Sequence, residues 1–340
     1  MKRRVAGMLS IAGLCLALLW PAAAQAADPL KIRISWMAAP GNLPPLLMEK
    51  PELMTRAGQS YTVDAVRFPG PSQSIAALAS GDLDIALLTF PSLPLAIQNA
   101  KLDDLRVIGD EFADGMQGHY SAEFLVLKDG PIRNIGDIKG KSLAISERGG
   151  GAEMALRSIA RKHGLEEKRD YGLTEVALPD MKAALLEKKA DLVGLGVPAI
   201  AADPAVREAA RPLFTQQDAL GPSIQVIWVA RKSFLEKNRG VVVDFMSDAL
   251  RVRRYLTDPK NHAQAVSMVS GVTKQPPEAL DSWLFTDKDF YRSPDGVPDT
   301  GILQKNIDRM AELGFLKNTV DVKKYQDLSI AKDAAARLAN

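Results

Sequence analysis

Short apolar runs with strand-like patterning recur along this chain, and longer runs with helix-like spacing separate them. Residues 30–36, 62–68, 83–89 and 105–109 read as strands. Between them, 43–55, 72–79 and 92–99 read as helices, with Ser72 as the N-cap of the second. The same order then starts again. Residues 141–146, 173–178 and 191–196 read as strands, 152–163 and 181–188 as helices, with Asp180 capping the latter. Strands alternating with helices predict parallel sheets with helices on both faces.

The repetition extends to the residues themselves. Ala76-Ala77-Leu78 is followed by Asp84, Leu88 and Pro91; 107 residues later Ala183-Ala184-Leu185 is followed by Asp191, Leu195 and Pro198. Two similar α/β lobes explain this better than shared composition does. Residues 120–128 read as a strand leaving the first lobe, 223–232 as a strand returning to it, and the C-terminal third as mainly helical (240–256, 261–270, 277–284, 300–313 and 321–332). The expected division is 27–120 for the first part of lobe one, 121–225 for an inserted lobe two, and 226–340 for the return and the terminal helices. Two crossing strands make a hinge, and hinged lobes close on a ligand.

The N-terminus lies outside this pattern. A basic start (Lys2, Arg3, Arg4), an apolar run over 5–20 and an Ala24-Gln25-Ala26 site predict a secretory signal peptide over 1–26. The only cysteine, Cys15, falls inside it, so thiolate and disulfide chemistry leave with the leader. The remaining chain has a net charge of −1 and carries no basic stripe, which argues against nucleic acid. An exported chain without cysteine suggests a periplasm.

Open parallel sheets hold ligands beyond the carboxyl ends of their strands. The most distinctive such end is Ser146-Glu147-Arg148-Gly149-Gly150-Gly151-Ala152, a glycine-rich turn into a helix, where uncovered N–H groups and the helix dipole favour an anion. It is not a nucleotide motif: Met154 replaces the third glycine of a dinucleotide fingerprint, and Gly140-Lys141-Ser142 lacks the first glycine of a phosphate loop. The other strand ends bring Trp36 and Asn42; Ser72 and Gln73; Thr89 and Phe90; and Gly196 and Val197. With Arg148, Gly149, Gly150, Gly151 and Ala152 these form the candidate ligand site. Trp36 and Phe90 are its apolar walls, the Asn42 and Gln73 amides and the Ser72 and Thr89 hydroxyls its polar points. Catalytic and metal residues are not expected. His119, His163 and His262 have no metal-ligand spacing, and Asp82/Asp84 and Glu166/Glu167 read as a strand edge and a solvated loop.

On Gly41-Asn42-Leu43, Pro69-Gly70-Pro71, the run 77–84 (Ala-Leu-Ala-Ser-Gly-Asp-Leu-Asp), the run 138–141 (Ile-Lys-Gly-Lys) and the C-terminal run 304–310 with Leu313-Gly314-Phe315, the chain resembles the periplasmic solute-binding proteins of ABC importers. More narrowly it is similar to their nitrate/sulfonate/taurine group and its thiamine-pyrimidine-binding relatives. The resemblance implies a type II periplasmic-binding fold with two doubly wound lobes and a two-strand hinge. It also implies a monomer without cofactor that closes on a small anion and hands it to an inner-membrane ABC permease. The turn departs from the group's pattern. Gly149 and Gly150 stand where sulfonate and nitrate binders often carry hydroxyls, and Gly196-Val197-Pro198 lacks an aromatic-plus-acid pair, so a bulkier organic acid such as an aromatic carboxylate also fits. An enzyme like the pyrimidine-synthesising proteins of this fold, and a periplasmic ligand sensor, are the alternatives.

Overall fold

The computed structural model describes residues 28–146, 148–197, 200 and 204–339. The expected signal peptide, Cys15, Glu147 and Pro198 lie outside the described residues.

The chain forms two five-stranded sheets. In the first, β1 (Leu30–Trp36) runs parallel to β2 (Tyr61–Arg67), in register from Leu30 opposite Tyr61 to Trp36 opposite Arg67, and parallel to β3 (Ile85–Thr89). β4 (Leu105–Asp114) forms one edge. The second sheet contains β5 (Glu123–Leu127), β6 (Ser142–Ile145), β7 (Gly172–Glu175), β8 (Leu192–Leu195) and β9 (Ala210–Thr215) in the order β7-β6-β8-β5-β9. β10 (Ser223–Arg231) returns to the first sheet and inserts between β3 and β4, giving β2-β1-β3-β10-β4.

Neither sheet is purely parallel. β10 is antiparallel to β3 and β4, and β5 is antiparallel to β8 and β9. The chain reverses direction each time it crosses between lobes, so each lobe acquires one reversed strand. β9 went unrecognised in the sequence because it contains Pro212, which a strand tolerates at a sheet edge.

Helices cover both faces of each sheet. On the first sheet α1 (Pro44–Leu47) packs on one side with the helices Lys232–Thr257, His262–Thr273 and Ser329–Ala336. On the other side lie α2 (Pro71–Ser80), α3 (Ser92–Asn99) and the helix Thr300–Glu312. The second sheet has α4 (Gly151–Lys162) on one face and α5 (Met181–Leu186) on the other. The helix expected over 43–55 is only one turn long. Pro51, which cannot continue a helix, opens a separate 3-10 turn at Pro51–Leu53. Ser72 does not cap α2. Pro71, pre-set for the first helical position, moves the cap back to Gly70 and leaves Ser72 inside the first turn. Asp180 precedes α5 but its side chain makes no capping hydrogen bond.

The crossovers are tied together. Asp114, fully buried at the end of β4, accepts hydrogen bonds from Ser121 Oγ at 2.5 Å and from the Ala122 N–H at 2.8 Å. Ser121 Oγ in turn accepts the N–H of Gln217 at 2.9 Å, which links the outgoing crossover to the returning one. Burial pushes the Asp114 carboxyl up to about 6 against these two hydrogen bonds.

Candidate functional site

The glycine turn leaves β6 at Ile145 and enters α4 at Gly151. Gly149 has a φ of +75°, a region that favours glycine, and Gly150 is the extended N-cap. Glu153, in the first turn of α4 and 2% exposed, accepts the Gly149 N–H at 2.6 Å. Among the described residues nothing accepts from the N–H groups of Gly150, Gly151 or Ala152, three of the four donors that α4's own hydrogen bonds leave free.

Arg148 is held by its own lobe. Its Nη1 reaches Glu153 at 3.1 Å and Glu167 at 2.8 Å, and its Nη2 donates to the Leu173 carbonyl at 3.1 Å. Arg157 bridges the same two carboxylates, closing a ring of two guanidinium and two carboxylate groups. Burial pushes the Glu167 carboxyl up, but Arg148 and Arg157 outweigh it and hold it below the usual carboxylate range. The ring carries no net charge, so the turn offers neutral donors backed by a helix dipole rather than a free cation.

A cavity of 260 Å³ lies where this turn meets the first lobe. It is lined by Ser72 and Ile75 of α2, Ser92 and Leu95 of α3, and Arg148 and Gly149 of the turn, with further α3 residues. The lobes nearly touch here: a Cβ on Gly149 would stand 3.6 Å from the Leu95 side chain. Thr89, at the end of β3, shares a 2.8 Å hydrogen bond with Ser92 Oγ beside this cavity.

A second opening between the lobes, of 790 Å³, lies at the other side of the sheets. Val197 and Ile200 line it from lobe two, and His119, Tyr120 and Trp283 from the crossover and the C-terminal segment. The Tyr120 hydroxyl donates to the Leu195 carbonyl at 3.3 Å.

The thirteen expected residues therefore do not converge on one point. Ser72, Arg148 and Gly149 share the smaller cavity, with Gly150 following as the N-cap, Gly151 and Ala152 opening α4, and Thr89 beside the cavity. Val197 lines the larger opening next to Gly196. Gln73 is exposed on α2. Trp36 is half-buried, donating to the Ala65 carbonyl at 3.3 Å beneath the Arg67 guanidinium, and lines neither opening. Two assignments need correction. Phe90 is 0% exposed and packs in the first lobe's core with Leu78, Leu93 and Ile227, so it walls no cleft. Asn42 is 3% exposed and its Oδ1 is occupied by the N–H groups of Met37 and Ala38, so it braces its own loop. Both follow from where a turn directs a side chain, which strand and helix periodicity does not specify.

Residues the sequence reading passed over stand at the turn. Gln216, 2% exposed, donates through Nε2 to Gln225 Oε1 at 2.8 Å and to Ser223 Oγ at 3.1 Å. A Cβ on Gly151 would stand 3.2 Å from Gln225 Nε2. The available signal was Gln225 itself, a polar residue inside the apolar run Ile224 to Ala230. Two apolar side chains of lobe two also cross the divide. Met154 of α4 is fully buried in one core cluster of the first lobe, and Val197, 5% exposed, in the other.

A family model described as NMT1/THI5 like matches residues 62–261. No curated protein matches the sequence. Among solved structures, the periplasmic aliphatic sulphonate binding protein SsuA from Escherichia coli is 20% identical with a TM-score of 0.67, over 88% of this chain and 92% of that one. The periplasmic nitrate-binding protein NrtA from Synechocystis PCC 6803 is 12% identical with a TM-score of 0.72, over 91% and 89%. The desulfurization enzyme DSZB is 14% identical with a TM-score of 0.63, over 91% and 99%. These likenesses establish the two-lobed α/β fold of periplasmic binding proteins, a fold that also carries enzymes.

Proposed function

The chain belongs to the NMT1/THI5-like family, and from that premise we propose that it is the substrate-binding component of an ABC importer. It captures a small oxyanion of sulfonate, taurine, nitrate or carboxylate type between its lobes and delivers it to an inner-membrane permease. The observation that carries this reading is the glycine turn: three N–H groups without an acceptor among the described residues, at a helix N-terminus, beside a 260 Å³ inter-lobe cavity. The structural likeness to SsuA and NrtA, whose names give them aliphatic sulphonates and nitrate, supports the ligand class. The cavity suits a ligand of few heavy atoms.

The role is binding rather than catalysis. The Thr89 and Ser92 hydroxyls pair with each other instead of with a base, and Arg148 is committed to Glu153 and Glu167. The protein acts as a periplasmic monomer, exported by the leader over 1–26 and using no cofactor. Calorimetric titration of the purified protein with ethanesulfonate, taurine, nitrate, benzoate and benzenesulfonate tests this. Micromolar or tighter binding of one of them, accompanied by compaction in small-angle scattering, is the expected result. Absence of binding across the panel, with mass spectrometry finding no ligand carried through purification, would refute it.

A further inference from the structure

Gln225 is the extra residue of a β-bulge. On β10, Ile224 pairs with Ala113 and Val226 with Phe112, so Gln225 has no partner on β4. On the β3 side its carbonyl accepts the Phe90 N–H at 3.2 Å, which sets it at the carboxyl end of β3. Bulges turn a side chain out of the strand's alternation, and this one directs an amide from the first lobe towards the glycine turn of the second.

The orientation of that amide follows from its neighbour. Gln216 Nε2 donates to Gln225 Oε1 and also to Ser223 Oγ, so the Gln225 oxygen faces Gln216 and its NH₂ faces Gly151. Among the described residues nothing accepts from Gln225 Nε2. The side chain is half-buried. It crowds a side chain at Gly151: a Cβ there would lie 3.2 Å from Nε2, so the amide would have to give by a few tenths of an ångström, and 3.5 Å from Gln216 Oε1, an ordinary contact.

Resting on the binding role proposed above, we propose that Gln225 is a specificity-determining residue: its Nε2–H donates to a ligand oxygen held at the Gly150 and Gly151 amides. The site then recognises oxygen atoms through neutral donors from both lobes, and Gly151 is glycine to leave room for the glutamine. This selects an oxyanion whose charge is spread over several oxygens, as in a sulfonate or carboxylate, over an ammonium or hydroxyl donor. It also makes binding report closure, because one donor comes from each lobe.

The experiment compares the tightest oxyanion of the titration panel with its uncharged counterpart, a sulfone for a sulfonate or an amide for a carboxylate. Gln225→Ala is expected to lose tenfold or more in oxyanion affinity and to flatten the preference over the uncharged counterpart. Gln225→Glu, which presents an acceptor, loses more. Gly151→Ala leaves the glutamine in the chain but pushes its amide by a few tenths of an ångström, and is expected to lose affinity by a smaller factor with its melting temperature preserved. Variants that bind the oxyanion as tightly as the wild type would overturn the proposal while leaving the binding role intact. So would an equal loss for the oxyanion and its uncharged counterpart. A wild-type protein that binds no oxyanion would overturn both.

Discussion

The Glu153 carboxylate accepts the N–H of Gly149 from within the first turn of α4, at 2.6 Å. A buried carboxylate thus sits beneath a turn proposed to hold an anion, and Arg148 and Arg157 neutralise it. Replacing Glu153 by Ala leaves that N–H unpaired and two guanidinium groups with half their carboxylate partners. A loss of about 2 kcal/mol in unfolding free energy is expected, read from urea denaturation. Glu153→Gln keeps an acceptor for Gly149 and adds one net positive charge to the ring. Oxyanion affinity should rise several-fold at low salt, with a steeper dependence on ionic strength.

Gly149 turns the chain at φ +75° with Leu95 close across the cleft. Gly149→Ala is expected to cost about 1–2 kcal/mol, since an L-residue strains in the left-handed region. Thermal unfolding should show a drop of a few degrees; an unchanged melting temperature would mean the turn relaxes without cost.

Asp114 makes stability depend on pH in a defined direction. Its carboxyl rises from 3.8 in an open chain to about 6 at the crossover, because burial penalises the charged form. The native state therefore holds this proton more tightly than the unfolded chain does. Its contribution is retained below pH ~4, falls between pH ~4 and ~6, and stays lost above, by about 3 kcal/mol. Asp114→Asn should shrink the fall in melting temperature between pH 5 and pH 7.5. Equal falls in the two proteins would refute the assignment.

Met154 and Val197 fasten the second lobe to the two core clusters of the first, one on each side of the sheets. Met154→Ala with Val197→Ala should enlarge the radius of gyration of the ligand-free protein in small-angle scattering. Saturating ligand should restore the compact value, with weaker apparent affinity because closure now draws on ligand contacts alone. A radius equal to that of the wild type would show that these contacts do not hold the lobes together.

Much of this architecture was legible in the order of elements. The strands that alternate with helices, the doubled pattern from Ala76 and Ala183, and the turn at Gly149 all appear in the structure as read. What escaped the reading depends on long-range placement. β9 hides because Pro212 breaks its pattern, and only the edge position beside β5 makes it a strand. The reversed directions of β5 and β10 arise from crossing between lobes, which no local window records. At the site, Gly149 and Arg148 were visible as a motif. Phe90 and Asn42 face inward because of turn geometry, and Gln225 comes up against Gly151 only through a bulge created by strands more than a hundred residues apart.

The insertion of β10 between β3 and β4 also fixes an order of assembly. The strand that completes the first sheet, Ser223–Arg231, is synthesised after the whole of the second lobe. Until it arrives, the facing edges of β3 and β4 lack their shared partner, and joining them closes a loop of more than a hundred residues, a slow step. All five strands of the second sheet, β5 to β9, are made before β10, so that sheet has its full complement while the first still lacks one strand. The connectivity that joins the lobes also makes the lobe begun first the last to be completed.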